Sequence, residues 1–306
     1  MNGKGRVVLG SVIALTSTTS FGTMILSMTP RAQVGLVAQC NIAVWDPETK
    51  MEHLIQSSAF MSQAKRFEFL VPTPTLPRVR EVGDVPINLV TGLITPPRPV
   101  PIAKPDPEDE LDPNFGVLIR PKVEVKQVTF VGNLKATTIR ASDILALTDW
   151  MSKNGYKASQ SQNEWLERYV QKRWFITAFQ VNSDSEAIKT SSVRLSFKTE
   201  APYVPYTSPR NNWGQGIKQE VFLVTPKAMQ GTTTGKGLWS GKLTGHKFLT
   251  RDATANFAKS LGLTNKDIPS QSWVNRYIDE SPADSPTDDL YFFPIPKGTK
   301  LSAKLK

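Results

Sequence analysis

Proline sets the first limit on what this chain can fold into. Eleven of its 23 prolines lie between Pro72 and Pro113. A residue that fixes φ and lacks a backbone N–H is kept out of central sheet and out of long helices. The stretch 72–113 therefore reads as an extended connector. Val85 to Thr95 offers one short amphipathic turn or helix within it, and the acidic run 105–113 (PDPEDELDP) an exposed tip. The remaining chain is lean enough in proline to form a sheet and helices, and 306 residues suffice for one large or two modest domains.

Before the connector the pattern has period two. Residues 33–46 (QVGLVAQCNIAVWD), 51–60 (MEHLIQSSAF) and 66–72 (RFEFLVP) are short β-leaning runs. The turn sequence Asp46-Pro47-Glu48-Thr49 and the separator Ser62-Gln63-Ala64-Lys65 divide them, which reads as a β-meander over 30–71. After the connector, 117–119, 123–131 (VEVKQVTFV), Trp174–Val181, Val193–Phe197 and Glu220–Val224 continue as strands.

Between Ala141 and Val170 the period changes to that of a helix. Ser142 is placed to cap a helix carrying Ile144, Leu145, Leu147, Trp150 and Met151, which Asn154-Gly155 ends. A second helix holds Trp165, Leu166, Tyr169 and Val170. The C-terminal part echoes this unit: Trp150–Gly155 by Phe257–Gly262, and the W-x-x-R-Y of Trp165, Arg168 and Tyr169 by Trp273, Arg276 and Tyr277. As a helix, each W-x-x-R-Y buries its Trp and Tyr on one face and points its Arg toward a carboxylate, a structural role. The expected fold class is α+β, a mainly antiparallel sheet with two helix-turn-helix insertions related by internal duplication. The expected organisation is a leader (1–29), the meander (30–71), the connector (72–113) and a β-rich core with a helical hairpin (114–225). A second helical unit with a closing strand (226–296) and a basic tail (297–306) complete it.

The leader combines Lys4 and Arg6 with an uncharged stretch from Val7 to Met28. A charged start, an apolar segment and small residues are the layout of a secretory signal, with Ser20-x-Gly22 as the nearest cleavage triplet. The alternative is an uncleaved membrane anchor over 7–28, since that length meets the roughly 20 residues needed to span. Both readings place the domain outside the cytosol: periplasm, cell surface or extracellular space; the third reading is a buried segment of a cytosolic protein.

The net charge of +10 comes from 37 Lys and Arg against 27 Asp and Glu, and it is dispersed except in the tail. It reads as a solvated basic surface, and no nucleic-acid fingerprint accompanies it. One cysteine, Cys40, and two histidines, His53 and His246, exclude an internal disulfide and a structural zinc site. Cys40 reads as a buried thiol in a strand, and each histidine as a surface or packed residue. Gly231-Thr-Thr-Thr-Gly235-Lys236-Gly237 is one residue short of a phosphate loop and has Gly where a magnesium-binding hydroxyl belongs, so it reads as a hairpin or loop. No G-x-S-x-G is present. The acids of 279–289 supply calcium candidates in Asp279, Asp284, Asp288 and Asp289, although the glycine-centred loop spacing is missing.

Several segments together resemble one bacterial family of exported proteins, domain of unknown function 2330. They are Ile42 to Ile55 with Trp45-Asp46-Pro47, Phe67 to Pro74, Leu147 to Tyr156, Trp174 to Val181, and Val193 to Phe197 through Tyr203-Val204-Pro205-Tyr206. The likeness spans roughly 38–225. It implies export and a β-rich domain with a helical insertion, and it supplies no agreed activity from which a catalytic residue could be carried over.

The leading expectation is an exported envelope or extracellular protein, a non-enzymatic binding or structural component that needs no cofactor beyond the calcium candidates. The alternatives are a hydrolase acting on an envelope polymer through the 279–289 carboxylates, and a subunit of a larger membrane-associated assembly. Its expected partners are other envelope or assembly proteins, with no nucleic acid, and with membrane contact through the N-terminal segment.

Overall fold

The alternating runs at the start of the chain become two long antiparallel strands, β2 (Val34–Asp46) and β3 (Met51–Ser62). At the turn between them the Asp46 carboxylate accepts hydrogen bonds from the Glu48 amide at 3.0 Å and the Thr49 hydroxyl at 2.8 Å. The structure is a computed structural model that describes residues 22–29, 32–83, 85–94, 123–209, 219–233, 237–279 and 288–295. The acidic tip and the basic tail lie outside these residues.

Around β2 and β3 the larger sheet is built from β15 (Lys242–Leu249), β16 (Ser272–Asp279), β12 (Gln219–Thr225), β2, β3, β10 (Val193–Lys198) and β5 (Arg78–Glu81), in that order. The short β9 (Ala187–Lys189) also pairs with β3. Its one parallel pair is β2 with β12, six positions in register from Gln39↔Gln219 to Val44↔Val224. The second sheet runs β1 (Met24–Ser27), β4 (Arg66–Thr73), β8 (Phe175–Asn182), β7 (Leu134–Ala141) and β6 (Val123–Val131), all antiparallel. A small third sheet joins β11 (Tyr203–Val204), β17 (Leu290–Pro294), β13 (Met229–Thr233) and β14 (Gly237–Leu238). Four helices complete the described chain: α1 (Val85–Ile94), α2 (Ile144–Lys153), α3 (Gln160–Gln171) and α4 (Arg251–Ser260).

Successive side chains in a strand point to opposite faces, and at β2 and β3 both faces of the large sheet are largely buried. Ala43, Trp45 and Leu54 share a core with Phe67 and Phe69 of β4 and Phe179 of β8, where the Phe69 and Phe179 rings stack at 4.9 Å. Ile42, Val44 and Ile55 point the other way and pack with Val90 of α1 and with Phe257 and Ala258 of α4. The outer face of the second sheet, with Leu70, Ile139 and Ile176, is covered by Leu147 and Met151 of α2 and Trp165 and Tyr169 of α3. The layers therefore run helices, sheet, sheet, helices. The third sheet closes one end of the inter-sheet core with Tyr203, Met229, Leu290 and Phe292.

The α+β, mainly antiparallel class agrees with the sequence reading, and several finer expectations need correction. The hairpin α2–α3 forms, but Asp143 and not Ser142 caps α2, accepting from the Ala146 amide at 2.7 Å. The meander splits, because β4 leaves β3 and pairs with β1 and β8 in the other sheet. Within the connector, β5 is an edge strand, and Pro72, next to last in β4, lies beyond the last β1 pairing, so proline stays off doubly paired backbone. The second W-x-x-R-Y is strand β16 and not a helix, so the local likeness between the two units stops at Gly155 and Gly262.

Residues 22–29, expected as the end of a leader, are packed into the sheet. Met24 and Leu26 are buried in β1, and the Gln162 side chain of α3 donates to the Ile25 carbonyl at 2.8 Å. Gly22 has φ +66°, and a Cβ there would lie 1.9 Å from the Pro205 carbonyl oxygen, so only glycine fits this approach. Residues 22–29 thus belong to the folded domain.

Candidate functional site

A groove with a volume of about 1090 Å³ opens at the β5 edge of the large sheet, on the face that α1 and α4 leave uncovered. Strand register builds its floor. In β10, Val193, Leu195 and Phe197 point into the inter-sheet core, so Arg194, Ser196 and Lys198 point outward; in β5, Val79 is inward and Arg78 and Arg80 are outward. Pairing then sets three cross-strand rows: Arg80, Arg194 and Ile55; Arg78, Ser196 and His53; Lys198 and Met51. Each row presents one exposed cation, Arg80, Arg78 or Lys198. Among the described residues none of these three has an ion-pair partner.

The walls come from the segment after α4, with Gly262, Leu263 and Asp267, and from Gln127 and Thr129 of β6. Arg194 fastens the first wall to the floor. Its guanidinium donates to the Leu261 and Gly262 carbonyls, the latter at 2.9 Å, which satisfies acceptors at the C-terminal end of α4. Gly262 makes that turn with φ +62°. Burial lowers the Arg194 pKa; Asp267 works against this, and the like charges of Arg80 and Arg78 add to it. Among the described residues lining the groove, four cations face one acid, Asp267.

His53 lies in the middle row, 5% exposed, with Nδ1 2.8 Å from the Ser196 hydroxyl. Burial first, and the charge of Arg194 second, push its pKa down to about 4, against the opposing pull of Asp267 and Asp46. The ring is thus neutral at neutral pH. Such a ring can accept the Ser196 proton in a hydrogen bond, while so low a pKa makes it a weak general base.

The acids of 279–289 are placed quite differently. Asp279 ends β16, is buried, and accepts from the Tyr206 hydroxyl and from Trp239 Nε1 at 2.9 Å. Asp289, also buried, accepts from the Tyr169 hydroxyl at 3.1 Å and from the amides of Tyr206 at 3.0 Å and Thr207 at 3.2 Å. Together they clamp the segment 203–208 to α3 and β16. Asp288 is half-buried beside them, and Asp284 lies outside the described residues. Among the described residues no group of three or more His, Cys, Asp or Glu is placed to hold a metal ion. A third buried acid, Glu52, accepts from the Tyr203 amide at 2.7 Å, and burial raises its pKa well above the carboxylate range.

The remaining residues singled out in the sequence have packing roles. Trp165 and Tyr169 meet edge to face at 4.7 Å on the buried side of α3, with Arg168 half-buried near its end. Trp273 packs against Phe248 at 5.3 Å and against the exposed His246 at 5.8 Å; Tyr277 donates to the Met229 carbonyl. Arg276 does meet a carboxylate, pairing with Glu220 of the neighbouring strand. Cys40 lies in β2, its thiol pKa pushed up by burial and by Glu220, and Thr232 and Thr233 pair with Leu238 and Gly237 in a hairpin. None of Arg78, Arg80, Arg194 or Lys198 was singled out. Their sequence signal is a basic or polar residue at alternate positions of R-V-R and V-R-L-S-F-K, where the intervening residues are core.

The family model described as an uncharacterized protein conserved in bacteria, DUF2330, matches residues 18–224. The chain belongs to the DUF2330 family. The matched span holds β1 through most of β12, and with them every cation of the groove floor; α4, its following wall, Asp279 and Asp289 lie beyond it in this DUF2330 protein. No curated protein and no solved structure matches the chain.

Proposed function

We propose that this DUF2330 protein is an exported envelope or extracellular component that binds an anionic ligand in the β5–β10–β3 groove and performs no chemistry on it. One observation carries the reading: three cross-strand rows each present an exposed cation without an ion-pair partner. Exposed charges in a folded protein ordinarily contribute little to stability. A row of them lining a groove is suited to steering and holding an opposite charge. The hydrolase alternative gains no support from Asp279 and Asp289, which are buried and hydrogen-bonded to aromatic residues.

Export is supported by the leader. Because residues 22–29 are built into the domain, the uncharged stretch that remains runs from Val7 to residue 21, about fifteen residues, short of the roughly 17–25 of a spanning helix. That length suits a removable secretory segment better than an anchor. Among the described residues no helix is long and apolar enough to cross a membrane. Mass spectrometry of the mature chain checks this: the expected N-terminus falls no later than Gly22, and a chain that retains residues 1–21 contradicts it.

The assembly role is supported by a separate observation. The bulge between Val125 and Gln127 in the edge strand β6 leaves Val125, Val128 and Phe130 exposed, Phe130 at 75%. Sedimentation of wild type and Phe130→Ser over a range of concentrations tests whether this edge joins a neighbour.

For the groove, calorimetric titration with inorganic phosphate, citrate and an anionic polymer at low ionic strength is the direct test. The expected result is saturable binding that Arg78→Ala together with Arg80→Ala removes. No binding of any anion overturns the reading.

A further inference from the structure

We infer that the groove is built for a linear polymer with one phosphodiester per six backbone bonds, a polyol phosphate chain, and not for a single small anion; this rests on the anion-binding reading above. The argument is metrical. Arg80, Arg78 and Lys198 occupy successive outward positions, each row two residues from the next along the antiparallel strands. Two residues of extended backbone are six covalent bonds and span about 7 Å. A phosphodiester-linked three-carbon polyol repeats P–O–C–C–C–O, also six bonds, so an extended chain laid along the strands brings one charge to each row. A single phosphate meets only one row and leaves the others unpaired.

The surroundings favour a polyol over a nucleic acid, which shares the six-bond repeat. Among the described residues the rings lining the groove are Phe197, 1% exposed and committed to the inter-sheet core, and the buried His53, so no open face is offered for base stacking. The opposite wall instead supplies Gln127 and Thr129, two residues apart on β6, whose amide and hydroxyl suit the hydroxyls of a polyol unit. The volume of about 1090 Å³ is at the upper end for a small-molecule site and fits a polymer segment.

The test is a length series of synthetic oligo(glycerol phosphate) with one, two, three and six phosphates, titrated into the full-length mature protein. Affinity is expected to climb steeply from one to three phosphates and to level off beyond three. For the trimer, the slope of log affinity against log salt should be about −2, from roughly 0.7 per neutralised phosphate. Arg78→Ala, Arg80→Ala and Lys198→Ala should each lower that slope by about one step, with an unchanged melting curve showing that each variant is folded. If one phosphate binds as tightly as three, the polymer inference fails and the anion groove stands. If neither binds, both fail. Equal or tighter binding of an oligothymidylate or an oligogalacturonate of matched charge overturns the polyol phosphate assignment.

Discussion

Two clusters of charge in this molecule have opposite fates. At one end of the inter-sheet core, Asp279 and Asp289 are buried, and the hydroxyls of Tyr206 and Tyr169, the Trp239 ring nitrogen and two backbone amides approach them. At the β5 edge, Arg78, Arg80 and Lys198 stand in the open with no ionic partner among the described residues. The first cluster is where composition draws the eye, five acids in eleven residues; the second is spread over 120 positions of sequence. The contrast teaches that a charge consumed by its own fold is a structural element, and that a charge the fold leaves unsatisfied is available to a ligand.

The contrast makes graded predictions. The largest effect belongs to Asp289. Replacing it by Ala leaves three buried donors without an acceptor, at about 1–3 kcal/mol each, so chemical denaturation should show a loss of roughly 3 kcal/mol or more. A loss under about 1 kcal/mol would mean that the clamp is not holding the segment 203–208.

Next comes the titration of His53, the buried histidine of the groove floor. Its folded pKa of about 4 lies below the ordinary 6.5, so the unfolded chain binds the proton first. Stability is fully present above about pH 6.5 and falls as pH drops toward 4, by about 3 kcal/mol in all. Glu52, whose pKa is raised, runs in the opposite sense, so the difference between wild type and His53→Gln across this window is the clean measure. A difference that does not change with pH contradicts the burial of a neutral ring. Asp279→Asn follows: it keeps an acceptor for Tyr206 and Trp239 but loses the charge, and should cost about 1–2 kcal/mol by the same denaturation measurement. The smallest effect on stability is expected at the cations, where Arg78→Ala and Arg80→Ala should stay within about 0.5 kcal/mol.

The sequence made much of the framework legible and little of the groove. Alternation found β2, β3, β8, β10 and β12, and helical spacing found α2 and α3, because these elements have one strong period and clear stops. The misreading of 272–279 has a simple cause: residues four apart share a face in a strand as well as in a helix. Val274, a β-branched residue where α3 has Leu166, was the signal for a strand. The strand β15 has no such run, and Gly245 interrupts its pairing at a bulge. The groove could not be read, because its rows exist only once β5 is registered on β10 and β10 on β3. No local pattern states that Arg78 will lie beside Ser196 and His53. Asp279 and Asp289 were visible as acids, but their partners, from Tyr169 to Trp239, are far away in sequence.

The central claim is that the open cations serve a ligand and not the fold. Its most direct test is a paired measurement on Arg78→Ala/Arg80→Ala/Lys198→Ala: the melting temperature, and the affinity for oligo(glycerol phosphate) with three phosphates. The account predicts an unchanged melting temperature and at least a hundredfold loss of affinity, about 1 kcal/mol for each charge removed. Unchanged affinity, or a collapse of the melting temperature with these three exposed side chains gone, contradicts it.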